Sequence, residues 1–214
     1  MIGMLALTEV DTKPYVDMVE RAGGVPRLIC VDSNGVDLEK ELKLIDGLIL
    51  FGDSFESTAL DETTIYHLGE KLLKYALSRD IPVLGIGAGI HLLNLVFGGS
   101  LSSDVNGHQD FDQDGNDISA YHRIYISPGS KLAAIVGSGG FVRVNSRHKF
   151  GIRESNKSSY LLASAYSLDD GVIEGLESPD HTWVIGVQFH PERRMELPPH
   201  FERLFQSFIE RVSE

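Results

Sequence analysis

At positions 85–94 the chain reads GIGAGIHLLN, an apolar strand-like run entering a glycine-rich turn and then a helix, with Gly87 at the apex. A sharp strand-to-helix turn lifts one side chain above the sheet edge and aims the first helix amides at it, which pairs a nucleophile with an oxyanion hole. Glycine at the apex keeps that geometry and removes the nucleophile. A second segment, DFDQDGND, repeats the first half of a calcium loop: Asp110, Asp112 and Asp114 supply alternate carboxylates and Gly115 the turn. Its twelfth position is Tyr121, where a calcium loop has its bidentate glutamate, so the segment reads as a solvated acidic loop. No metal or other cofactor is expected.

The elements that must hold these residues follow from hydrophobic periodicity. Apolar strand-like runs alternate with helix-period segments through the first half: MLAL, a helix around Tyr15 to Ala22, RLICVD, a helix around Leu38 to Ile45, GLILFG, a helix over about Asp61 to Ser78, and VLGIG leading into IHLLNLVFGG. Strands this continuously apolar imply a parallel sheet covered on both faces. The second half changes character. YHRIYI, FVRVN, YLLASAYS, GVIEGLE and TWVIGVQF are short strands joined by turn-like segments, and they predict antiparallel additions to the sheet. A last helix follows Pro198 and Pro199, with Phe201, Leu204, Phe205, Phe208, Ile209 and Val212 on one face.

The fold class is therefore α/β, and residues 1–214 are expected to form one domain. With 19 Lys plus Arg against 31 Asp plus Glu, the net charge of −12 argues against a nucleic-acid or anionic-membrane surface and for a small ligand. The longest apolar run, residues 83 to 99, is broken by five glycines, His91 and Asn94, and MIGMLALTEV has no basic start, so no signal peptide or membrane span is read. The lone cysteine, Cys30, cannot form an internal disulfide and is expected to be a small buried core residue in a cytoplasmic protein.

Three separated segments, PVLGIGAGIHLLNLVFGGSL, VRVNSRHKFGI and DGVIEGLESPDHTWVIGVQFHPE, together resemble the class I glutamine amidotransferases, in particular the γ-glutamyl hydrolase branch (peptidase C26, γ-glutamyl-γ-aminobutyrate hydrolase-like). The resemblance implies a flavodoxin-like domain whose Cys-His-Glu triad forms a γ-glutamyl thioester and releases ammonia or an amine. In GVQFHPE, His190 and Glu192 match the family's base and its orienting carboxylate, since an imidazole can take the thiol proton while the carboxylate fixes its tautomer. The family elbow usually reads GICRGMQLLN, so Gly87 stands for the cysteine, Ala88 for the next arginine and His91 for a substrate-holding glutamine.

Gly52 in LFGDS aligns with the loop whose backbone N–H faces the oxyanion, although Phe51, Asp53, Ser54 and Phe55 depart from the family's usual loop. Ser146 and His148 match a segment bordering the substrate pocket, while Arg147, Lys149 and Phe150 depart from it. Gly52, Ala88, His91, Ser146 and His148 are thus the expected binding positions.

The leading reading is a member without the family's thiol-dependent activity, which keeps its pocket for a small γ-glutamyl or related ligand, a protein partner or a second copy of itself. The alternative is an active hydrolase or amidotransferase using Ser54, Ser57 or a water activated at His190 and Glu192. His91 pointing to the same pocket mouth as His190 and Glu192 could make a metal site, against the plainer expectation of a polar helix residue replacing glutamine.

Overall fold

A computed structural model describes residues 1–30, 38–53, 64–102, 105, 107–115 and 117–214. The first half contains β1 (Ile2–Ala6), α1 (Lys13–Arg21), β2 (Pro26–Leu28), α2 (Leu38–Leu44), β3 (Gly47–Gly52), α3 (Thr64–Ser78), β4 (Val83–Gly87) and α4 (Ala88–Val96). The second half contains β5 (Asp110–Phe111), β6 (Asp117–Ile118), β7 (Ala120–Ile126), α5 (Lys131–Val136), β8 (Gly140–Ser146), β9 (Leu162–Ser167), β10 (Ile173–Glu177) and β11 (Val184–Val187). A 3-10 turn, Pro199–Glu202, leads into α6 (Arg203–Val212).

Among the described residues, nine strands form one sheet in the order β2-β1-β3-β4-β11-β10-β9-β7-β8. The pairs β1 with β2, β1 with β3, β3 with β4 and β4 with β11 are parallel. From β10 outward every pairing is antiparallel. The change of direction falls at β11, so the last parallel strand also carries the chain past the carboxyl end of β4, where open α/β sheets build their sites. β3, β4 and β11 are buried throughout because layers cover both faces. One layer contains α1 and α6, with Met18, Phe205 and Phe208 packed on Ile49, Leu84 and Ile185; the other contains α3 and α4, with Leu72 and Leu92 on Leu48 and Leu50.

Three expectations are corrected or refined. Cys30 is exposed, because β2 ends at Leu28 and the cysteine falls beyond its last sheet partner. The acidic segment is solvated as expected but framed by strands: β5 and β6 pair as a short antiparallel hairpin whose exposed turn carries Asp112, Asp114 and Gly115, and Asp110 and Asp112 accept backbone N–H bonds from Phe111 and Asp114. Ser130 caps α5 by accepting from the Ala133 N–H, and Gly137 ends it at φ 96°, forming a short helix that the alternation of strands conceals. Among the described residues, no helix is long and apolar enough to cross a membrane.

Candidate active site

The site is built at the carboxyl ends of β3, β4 and β11. β4 passes directly into α4 through Gly87, whose φ of 56° and ψ of −110° lie where a side chain strains the backbone. α4 can follow so closely because Gly89 has no Cβ; one would meet the Leu50 carbonyl of β3. The free amides of the first turn of α4 therefore open at the elbow.

Gly52 stands opposite Gly87 in the β3–β4 register. A Cβ built at Gly87 would fall on the Gly52 carbonyl oxygen, with the Asp53 carbonyl oxygen 3.1 Å and His190 Cε1 3.0 Å away. The Gly52 loop thus turns a carbonyl toward the place a nucleophile would occupy. An oxyanion hole needs donors there.

His190 follows β11 and is completely buried. Its N–H donates to Asn145 Oδ1 at 2.9 Å and its carbonyl accepts from Asn145 Nδ2 at 3.1 Å, so β8 holds its backbone from both sides. His190 Nδ1 lies 2.9 Å from Glu192 Oε1, a pairing that fixes the tautomer with Nε2 as the acceptor. Nε2 has no hydrogen-bond partner among the described residues. Tyr15 of α1 stacks on Phe51 with ring centroids 4.1 Å apart; burial, and then the charges of Glu192 and Asp53, push its phenol well up, keeping it neutral.

Gly52, Gly87, Ala88, His190 and Glu192 come together at this site. His91 does not reach a pocket mouth. One turn further along α4, it is fully buried, with Nε2 2.7 Å from Gln188 Oε1; burial, then His148, lower it to about 3, so the ring is neutral at ordinary pH. Among the described residues, His91, His190 and Glu192 form no metal-binding group.

Ser146 and His148 are also buried, and both face inward: Ser146 Oγ donates to the His108 carbonyl at 2.8 Å, and His148 Nδ1 lies 2.8 Å from the Phe150 carbonyl. They brace the wall beside the site. Arg147 between them reaches back, Nε 3.4 Å from Asp53 Oδ2, and so links this wall to the Gly52 loop. Ser54, Phe55 and Ser57 lie outside the described residues.

Sequence reasoning passed over Tyr15, Gln188 and Glu174. Gln188 and Glu174 stand inside quoted motifs, where a polar residue within an apolar strand run was a usable signal; Tyr15 lies far from any motif and is identified only by packing. Glu174 is fully buried; burial would raise its carboxyl, but the facing His122 and His148 hold it well below the carboxylate range. His108 is lowered to about 4, by burial first and then by His148.

A family model described as Peptidase C26 matches residues 6–192. A provisionally named glutamine amidotransferase of Schizosaccharomyces pombe is 34% identical over 94% of this chain and 82% of its own length. Protein NtpR of Enterococcus hirae is 29% identical over 92% of this chain and 87% of its own. Among solved structures, a glutamine amidotransferase from Thermotoga maritima superposes with a TM-score of 0.72 at 16% identity, covering 100% of this chain and 98% of that one. The glutaminase domain of a Trypanosoma brucei CTPS with bound acivicin gives 0.71 at 18% identity, covering 100% and 94%. At these identities the structures share the fold.

Proposed function

The chain belongs to the Peptidase C26 family of class I glutamine amidotransferase-like proteins, and on that premise we propose that it is a member without thiol-dependent turnover, which retains the pocket as a binding site for a small γ-glutamyl or related ligand. The observation that carries this reading is the elbow: Gly87 offers no thiol, and the Gly52 carbonyl takes the space its Cβ would need. Thioester formation requires a thiolate at that apex, with donors facing the oxyanion. His190 and Glu192 then act as a fixed polar pair, whose unpartnered Nε2 can accept a hydrogen bond from a ligand amide or ammonium.

The test is ligand binding without product. Calorimetry with glutamine and with γ-glutamyl-γ-aminobutyrate should give saturable heat for at least one of them, with no ammonia or amine released, and His190→Ala should weaken that binding. Absence of binding to both, at concentrations where the protein is folded, would overturn the retained-pocket reading.

A second reading has the same nitrogen behind it. His190 Nε2, buried and unpartnered beside Gly87, could take a proton from a water and direct it at an amide carbonyl. That reading requires turnover that survives thiol-blocking reagents and is lost in His190→Gln.

A further inference from the structure

In the antiparallel half of the sheet, four side chains converge from separate segments. His122 lies on β7, Glu174 on β10, His108 just before β5 and His148 just past β8. All are buried, with residue exposures of 6%, 0%, 3% and 0%. Glu174 Oε1 is 3.2 Å from His122 Nε2 and 3.6 Å from both His108 Nδ1 and His148 Nε2. Among the described residues, His108 Nδ1, both nitrogens of His122, His148 Nε2 and both oxygens of Glu174 have no well-aligned hydrogen-bond partner. Buried polar atoms are ordinarily paired. Four of them, His108 Nδ1, His122 Nε2, His148 Nε2 and Glu174 Oε1, approach one another, and such a group calls for a shared partner.

We propose that His108, His122 and Glu174 bind a first-row divalent transition cation, with Zn²⁺ the best match, and that His148 is the nearest further donor. The ligand atoms of the first three lie within 4.8 Å of one another. Two donors each about 2.0–2.2 Å from a tetrahedral ion stand about 3.4 Å apart. The observed 3.2 and 3.6 Å separations bracket that edge. Imidazole and carboxylate donors select zinc and its neighbours over calcium or magnesium, which favour all-oxygen shells.

The outer contacts have the form that metal-bound histidines take. His108 presents Nδ1 to the centre, while its other nitrogen, Nε2, lies 3.4 Å from Asp170 Oδ2. His148 commits Nδ1 to the Phe150 carbonyl, which leaves Nε2 as a lone pair turned toward the Glu174 carboxylate.

The site would fasten the segment leading into the β5–β6 hairpin to strands β7 and β10. The His108 carbonyl already accepts from the Ser146 hydroxyl and the His148 amide, so the ion would also stiffen the wall beside the Gly87 site. It does not depend on any chemistry at Gly87.

The experiment uses the full chain, prepared without a histidine tag, stripped with EDTA and titrated with Co²⁺ and then Zn²⁺. The expected result is one equivalent of Co²⁺ with the intense visible absorption of low-coordinate cobalt, displaced by one equivalent of Zn²⁺, and a higher melting temperature when loaded. His122→Gln and Glu174→Gln should each weaken Zn²⁺ affinity by at least about 100-fold, while His200→Gln should leave it unchanged. If Glu174→Gln does not fold, His108→Gln, at the edge of the cluster, provides the same comparison with folding verified by circular dichroism. A folded wild-type chain that takes up neither ion at micromolar concentration would overturn the proposal. So would one-equivalent binding that persists unchanged in folded His108→Gln and His122→Gln.

Discussion

A cysteine at position 87 would ask two things of the backbone at once. It would have to hold φ 56° and ψ −110°, and the Gly52 carbonyl would have to move out of the space taken by its Cβ. Holding a side chain in such a conformation costs roughly 1–3 kcal/mol. Gly87→Cys is therefore expected to lose at least that much stability in denaturant unfolding, and to remain without glutaminase activity so long as Gly52 keeps its orientation. The sequence shows the vacant apex and the His190–Glu192 pair because both lie in compact motifs. The carbonyl in the way comes from the register of β3 against β4, which no local pattern encodes. His91 illustrates the same limit, since helical spacing places it one turn from the apex but cannot say that Gln188 meets it inside. Its titration gives a second prediction. The native pKa lies near 3 against an ordinary 6.5, so the unfolded chain binds the extra proton first, and stability falls as pH drops from about 6.5 toward 3. His91→Gln should flatten the slope of stability against pH between about 6 and 4 by close to one proton, measured by urea unfolding across that range; an unchanged slope would contradict the buried neutral imidazole.

Elements rather than single residues hold the histidine in place. Asn145, near the end of β8, grips the His190 backbone on both sides, and its amide also donates to Glu196 Oε2 at 2.9 Å. Asn145→Ala would leave the buried His190 N–H and carbonyl unsatisfied, at about 1–3 kcal/mol for each group so stranded. The variant should therefore show lower denaturant stability and a His190 ring loosened from Glu192, visible as exchange broadening of the imidazole ring signals by NMR. Periodicity made the parallel strands and α1, α3, α4 and α6 legible, since each buries a long apolar face. It failed for short elements. α5 has only six residues between two strands, and the β5–β6 hairpin has two-residue strands whose acidic composition reads as solvated loop. RLICVD overstated β2 because its apolar run continues past the last residue that finds a partner on β1.

At the scale of the whole molecule, the switch from parallel to antiparallel pairing beyond β11 brings distant segments to one place. β3, β4 and β11 deliver Gly52, Gly87 and His190 to the same sheet end, while β7 and β10 deliver His122 and Glu174 to the separate buried cluster. The first convergence was readable because family motifs mark its parts. The second was not, as His108, His122 and Glu174 share no spacing in sequence and meet only through strand order. The proposal that the elbow keeps its strand-to-helix turn but has neither a thiol nor room for one is tested by incubating the purified protein with glutamine and γ-glutamyl amides and with an electrophilic glutamine analogue, then assaying released ammonia or amine and mapping adducts by mass spectrometry. No release above the buffer blank and no adduct within residues 83 to 95 are expected. Turnover at about 1 s⁻¹ or faster, within the ordinary range for enzymes, or a labelled elbow peptide would contradict the proposal.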